Sequence, residues 1–226
     1  RKGAQDAKRA KIFTRLGKEL SVAVKFGINP DANSRLRTAI AACRAANMPK
    51  ENIERAIKKA YEKTIDNFKE VLFEGYAPHG IAILVETATD NNKRTVANLR
   101  SYFNKYNGSL STSGSVEFMF DHKCNFRIAS EIINVEEIEL DFIDYGVEEV
   151  FEDEDGILLY ASFEYFGRIQ KELEDRSLKI LSSGFDRIPK ITHEIPPKQK
   201  IEVTKLIEKI EDDDDVQNVY HTLKMI

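Results

Sequence analysis

Apolar positions at helical spacing open the chain. Between about Ala7 and Phe26, Ile12, Phe13, Leu16, Leu20, Ala23 and Val24 fall on one side of a 3.6-residue wheel. Lys8, Lys11, Arg15, Lys18 and Lys25 fall on the other, so one face is expected to pack and one to be basic. Gly27-Ile28-Asn29-Pro30 breaks this helix, and Asn33 or Ser34 can cap a second that runs to about Ala46 and turns Leu36, Ala39, Ile40 and Cys43 toward a core. Asn47-Met48-Pro49 stops that helix and starts a third, with Pro49 in the first turn, Glu51 and Glu54 at the positive end, and Lys58 and Lys59 at the negative end.

Around Phe68 the period changes. Val71-Leu72-Phe73 and Ile81-Ala82-Ile83-Leu84-Val85 read as strands separated by a turn at Ala77-Pro78-His79-Gly80. Thr89-Asp90-Asn91-Asn92 supplies a cap for a helix from about Lys93 to Tyr106, whose buried stripe is Val96, Leu99, Phe103 and Tyr106. Ser115–Phe120 is expected to return as a strand. From Cys124 to Ile188 the order is strand, helix, strand, strand, helix, strand, with Asp155-Gly156 as a hairpin turn, which predicts a ferredoxin-like split βαβ sandwich. A helix (Lys200–Ile210) and a strand (Gln217–Thr222) follow Pro196-Pro197 and are too little to fold alone, so they are expected on the earlier sheet. The predicted fold is therefore α+β and multidomain: a basic three-helix domain at 1–66, then two α/β sandwich domains. One of these is formed by 67–121 with 193–226, and the other is a ferredoxin-like βαββαβ domain, 122–192, inserted in it.

Composition alters this picture at one point. The 226 residues are 42% hydrophobic and 32% charged, as in ordinary globular proteins. The net charge of −4 conceals an imbalance, since residues 1–64 carry 16 Lys and Arg against 6 Asp and Glu. A basic segment on an acidic body suits an approach to phosphate by one end only. No apolar run approaches the roughly eighteen residues that cross a bilayer, and no secretory signal is visible, which predicts a cytoplasmic or organelle-matrix location without membrane contact. Arg1 is read as a trimmed or disordered start, with further residues expected upstream. Cys43 and Cys124 show no CxxC spacing and are expected to be buried free thiols.

Several segments carry a family resemblance. They are Arg1-Lys2-Gly3-Ala4-Gln5-Asp6-Ala7-Lys8-Arg9, Asn47-Met48-Pro49-Lys50-Glu51-Asn52-Ile53-Glu54-Arg55-Ala56-Ile57, Glu74-Gly75-Tyr76, Thr89-Asp90-Asn91-Asn92-Lys93-Arg94-Thr95, Gly114-Ser115-Val116 and Asp213-Asp214-Asp215-Val216-Gln217-Asn218-Val219-Tyr220. Together, in this order, they resemble the YebC/PmpR family. The resemblance implies a cytoplasmic three-domain protein with a helical N-terminal domain. It also implies a DNA-binding transcriptional regulator, as bacterial members are described, or a translational activator, as is the mitochondrial relative. Family members carry a further basic and aromatic lead-in before the position of Arg1.

The candidate chemistry is electrostatic. Lys8, Lys11, Arg15, Lys18 and Lys25, aligned along a polyanion, would each displace a condensed counterion and give strong, largely sequence-blind binding. Arg35 and Arg37 at the second helix start would widen that patch, as would Lys58, Lys59 and Lys63, which the helix dipole explains equally well. Lys93 and Arg94 put two cations at the positive end of a helix, a placement that a bound phosphate would relieve, and Arg100 lies two turns on. Ser-Thr-Ser-Gly-Ser at 111–115 reads as a mobile turn with donors for phosphate. The run Asp212–Asp215 lacks the spacing of a calcium loop and reads as a solvated turn or a contact for a basic surface. His79, His122, His193 and His221 have no zinc-site spacing, and no nucleophile elbow or phosphate loop is present. No catalytic residue, metal or cofactor is assigned. The expected protein is a non-enzymatic nucleic-acid-binding regulator, acting on DNA or on ribosomal RNA at the ribosome, with a ligand sensor as the alternative from another class.

Overall fold

The computed structural model describes residues 2–62, 68–131 and 133–226. They form two compact units, one comprising Arg1–Lys25, Ala42–Phe120 and Pro189–Ile226, the other Phe26–Ala41 and Asp121–Ile188.

In the first unit the opening helix α1 (Lys2–Ala23) buries only its C-terminal part, at Lys18, Leu20, Val22 and Ala23. Ile12, expected on the packed face, is 48% exposed. Helix α2 (Ser34–Ala45), of which Ser34–Ala41 belong to the second unit, is capped by Asn33, whose Oδ1 accepts the Leu36 amide at 3.0 Å, which settles the alternative between Asn33 and Ser34. Helix α3 (Lys50–Glu62) packs on α1 and buries Ile53.

Strands β1 (Lys69–Tyr76) and β2 (Ala82–Thr89) are antiparallel, and helix α4 (Asn92–Lys105) follows with Asn91 as its N-cap. Strand β3 (Ser109–Ser111), helix α7 (Pro197–Glu211) and strand β8 (Val216–His221) complete a four-stranded sheet in the order β3-β1-β2-β8. The continuous apolar run 81–85 is explained by burial of β2 on both faces. Ile83 and Val85 meet Leu99 and Phe103 of α4 and Val203, Leu206 and Ile210 of α7, while Ala82 and Leu84 meet Val116 and Phe120. Gly75 is required where β1 passes α4, because a Cβ there would lie 2.6 Å from the Ser109 carbonyl oxygen and 2.7 Å from the Phe103 ring.

The second unit contains, in chain order, β4 (Phe120–Ile128), α5 (Val135–Phe142), β5 (Val147–Asp153), β6 (Gly156–Ser162), α6 (Phe166–Asp175) and β7 (Ile180–Pro189). The sheet order β5-β6-β4-β7 is the ferredoxin-like arrangement. Phe126, Ile128, Ile157 and Leu159 pack beneath Ile138 and Phe142 of α5 and Ile169 and Leu173 of α6. Residues 26–41 join this unit through Ser34, Arg37 and Thr38. Ser183 of β7 donates from its Oγ to Ser34 Oγ and from its amide to Thr38 Oγ1, each at 2.8 Å, and Arg37 reaches the Ile180 carbonyl. The helical segment thus contributes to both units.

One expected strand is not formed. Residues 115–119 make a turn and a 3-10 helix, and β4 begins only at Phe120. The cause is Glu74 of β1, which is 2% exposed. Its carboxylate accepts the amides of Gly114 at 2.6 Å, Val116 at 2.9 Å and Glu117 at 2.7 Å, which removes those donors from any ladder. The same bonds pin the Ser-Thr-Ser-Gly-Ser turn and spend amide donors expected to be open to phosphate. Both cysteines are buried and free, and burial pushes the Cys124 thiol up to about 11.

Candidate nucleic-acid interface

The basic side of α1 lies against the protein's own acidic turn. Lys11 Nζ is 3.6 Å from Asp212 Oδ1, Arg15 donates to the Glu211 carbonyl, and Gln217 donates back to the Arg15 carbonyl at 3.1 Å. Lys18 is buried. Its ammonium donates to the Asp214 carbonyl and, at 3.0 Å, to Asp215 Oδ1. Asp215 is the hub, because Arg94 reaches both of its oxygens, at 2.8 and 3.2 Å, and Thr95 Oγ1 donates to Oδ2 at 2.8 Å. Burial raises the pKa of a carboxyl, but the bonds from Arg94, Thr95 and Lys18 outweigh it and hold Asp215 below the usual carboxylate range.

The anion that answers Arg94 near the start of α4 is therefore Asp215, supported by Asp90 at 2.8 Å. One turn on, Asp213 accepts from Tyr102 Oη at 2.7 Å and from Asn98 Nδ2 at 3.3 Å. Burial, then that hydrogen bond, pushes the Tyr102 phenol far above its ordinary value. These groups, with Thr14 and Phe68, line a cleft of about 610 Å³ that presents both signs of charge.

The ten candidate cations thus fall into three groups. Lys11, Arg15, Lys18 and Arg94 serve the acidic turn. Lys25 donates to the Phe68 carbonyl, Arg37 to those of Pro30, Asp31 and Ile180, and Arg35 lies over the Phe26 and Phe185 rings. Lys8, Lys93 and Arg100 are exposed and make no ion pair among the described residues. Lys93 and Arg100 are seven residues apart and share one face of α4; Arg94, Asn98 and Tyr102 occupy another, so Arg100 sides with Lys93 and not with Arg94. On α3, Lys58 pairs with Glu62 at 3.9 Å and Lys59 is exposed, while Lys63 lies outside the described residues.

Asp213, Asp215, Thr95, Asn98 and Tyr102 were not singled out as partners of these cations. Both ends of the network lie in segments that carry the family resemblance, 89–95 and 213–220, but only folding brings segments about 120 residues apart together. Among the described residues no group of three or more His, Cys, Asp or Glu side chains is placed to hold a metal ion, and no helix is long and apolar enough to cross a membrane.

Two mixed α/β units with a basic opening helix folded onto an acidic turn define the class of protein. Residues 1–63 match the TACO1/YebC protein N-terminal domain and residues 68–223 the TACO1/YebC second and third domain, so the chain belongs to the TACO1/YebC family. It is 68% identical over 216 residues to a Flavobacterium johnsoniae protein named "Probable transcriptional regulatory protein", covering 95% of this chain and 91% of that one. A protein of the same name from Parabacteroides distasonis is 55% identical over 217 residues, covering 95% and 89%. The crystal structure of a conserved hypothetical protein from Aquifex aeolicus is similar with a TM-score of 0.72 at 37% identity, covering 97% of this chain and 91% of that one.

Proposed function

We propose that this protein is a non-enzymatic regulator of gene expression that binds nucleic acid through phosphate contacts of its first unit, with Lys8, Lys93 and Arg100 as the contacting cations. The observation that carries this proposal is their exposure without carboxylate partners among the described residues, on a unit with 25 Lys and Arg against 19 Asp and Glu. Such cations add affinity by releasing counterions and read no bases. The relatives' name, probable transcriptional regulatory protein, supports a transcriptional role; duplex DNA as target and the cytoplasm as location are part of the proposal.

A second target, structured RNA of the ribosome, is favoured by a specific observation. Helix α4 begins Asn92-Lys93-Arg94-Thr95, the residue types that read base edges, yet Asn91 caps the helix and Arg94 and Thr95 are spent on Asp215. Recognition by shape and phosphate suits RNA better than it suits a promoter.

Binding of the full chain to promoter-length duplex DNA and to purified ribosomes, each across a salt series, tests this. Changing Lys8, Lys93 and Arg100 together to Glu is expected to lower the salt slope by about 2–3. An unchanged slope on both targets overturns the assignment. Tight, sequence-selective duplex binding supports transcription, and salt-sensitive co-sedimentation with ribosomes supports translation.

A further inference from the structure

The second unit poses the opposite electrostatic problem. Residues 131–155 hold twelve Asp and Glu and no Lys or Arg. Three of the twelve are paired, Asp141 with Arg176, Glu148 with Lys123 and Asp153 with Arg127. The other nine make no ion pair among the described residues. Within this stretch lies β5, the end strand of its sheet. Its open side receives no backbone hydrogen bond from any other described segment. Glu149 and Glu152 are exposed along it, and so is the ring of Phe151, at 53%.

An open strand edge is a template for another strand. Beyond an irregularity between Val147 and Glu149, the five residues Glu149–Asp153 run in regular register, about 17 Å of edge open to pairing. The carboxylates decide which strand is admitted. A second copy of β5 would set like charges directly opposite one another, which is unfavourable, whereas a strand carrying Lys or Arg would form opposite-charge cross-strand pairs. Phe151 offers an apolar contact on one face of such a pair.

We infer that the β5 edge is a docking site for an extended, Lys- and Arg-rich segment of a partner protein, which adds to the sheet as a fifth strand. This does not depend on the nucleic-acid reading, which concerns the other unit. The probe is an acetylated peptide alternating Lys and Val, titrated into the isotope-labelled full chain and followed by backbone amide shifts. Binding is expected to perturb the amides of 147–153, to weaken as salt is raised, and to fall at least about tenfold for the chain with Glu149→Lys and Glu152→Lys. A peptide of the same charge, N-methylated at alternate residues, removes strand pairing alone and is expected to lose at least about tenfold as well. Equal binding of the N-methylated peptide overturns strand addition in favour of plain charge attraction. No binding, perturbation centred elsewhere, or dimerisation of the chain through β5 overturns the proposal too.

Discussion

Two acidic segments of this chain have opposite fates. Asp212–Asp215 folds back onto cations of α1 and α4, and Asp215 ends 3% exposed with three side-chain donors. The 131–155 stretch, with three times as many carboxylates, leaves most of them in water. The first is a structural joint and the second a surface, although both are dense in Asp and Glu. What separates them is desolvation: a buried charge must be paired to be tolerated, while a solvated one is stabilised by water.

The strongest test of that contrast is Asp215→Asn. It leaves Lys18 buried without its carboxylate and is expected to cost about 3–5 kcal/mol in urea unfolding. Lys18→Met is expected to cost less, about 1–3 kcal/mol, because Asp215 keeps Arg94 and Thr95. The Asp215 pKa is lower folded than unfolded, so its contribution is complete above the unfolded value of about 3.9 and is lost as pH falls through the folded value. Asp215→Asn should therefore flatten the acid side of the stability profile, measured as unfolding midpoint against pH. Glu74→Gln, which replaces one accepting oxygen with a donor facing the 114–117 amides, is expected to cost about 1–3 kcal/mol. Glu149→Gln with Glu152→Gln should stay within about 0.5 kcal/mol. A loss as large as that of Asp215→Asn there would erase the distinction between joint and surface.

Much of the fold was legible because it is written locally. Caps such as Asn91, breakers such as Gly27-Ile28-Asn29-Pro30, and the apolar run of β2 act over a few residues, and the elements follow them. Ser115–Phe120 was misread because its amides are claimed by Glu74, some forty residues earlier. Strand β3 was missed because Ser109–Ser111 has no alternation of its own and is held by β1. The candidate site was legible as composition and not as presentation. A helical wheel places Lys11, Arg15 and Lys18 on one side of α1, but it cannot say that Glu211–Asp215 comes to meet that side.

The bond between Lys18 and Asp215 spans 197 positions. At about 5–20 residues per second of synthesis, α1 waits roughly 10–40 seconds for the carboxylate that secures it. During that interval a nascent chain displays α1 with its positive side uncovered, and the helix docks only once Asp215 has been made.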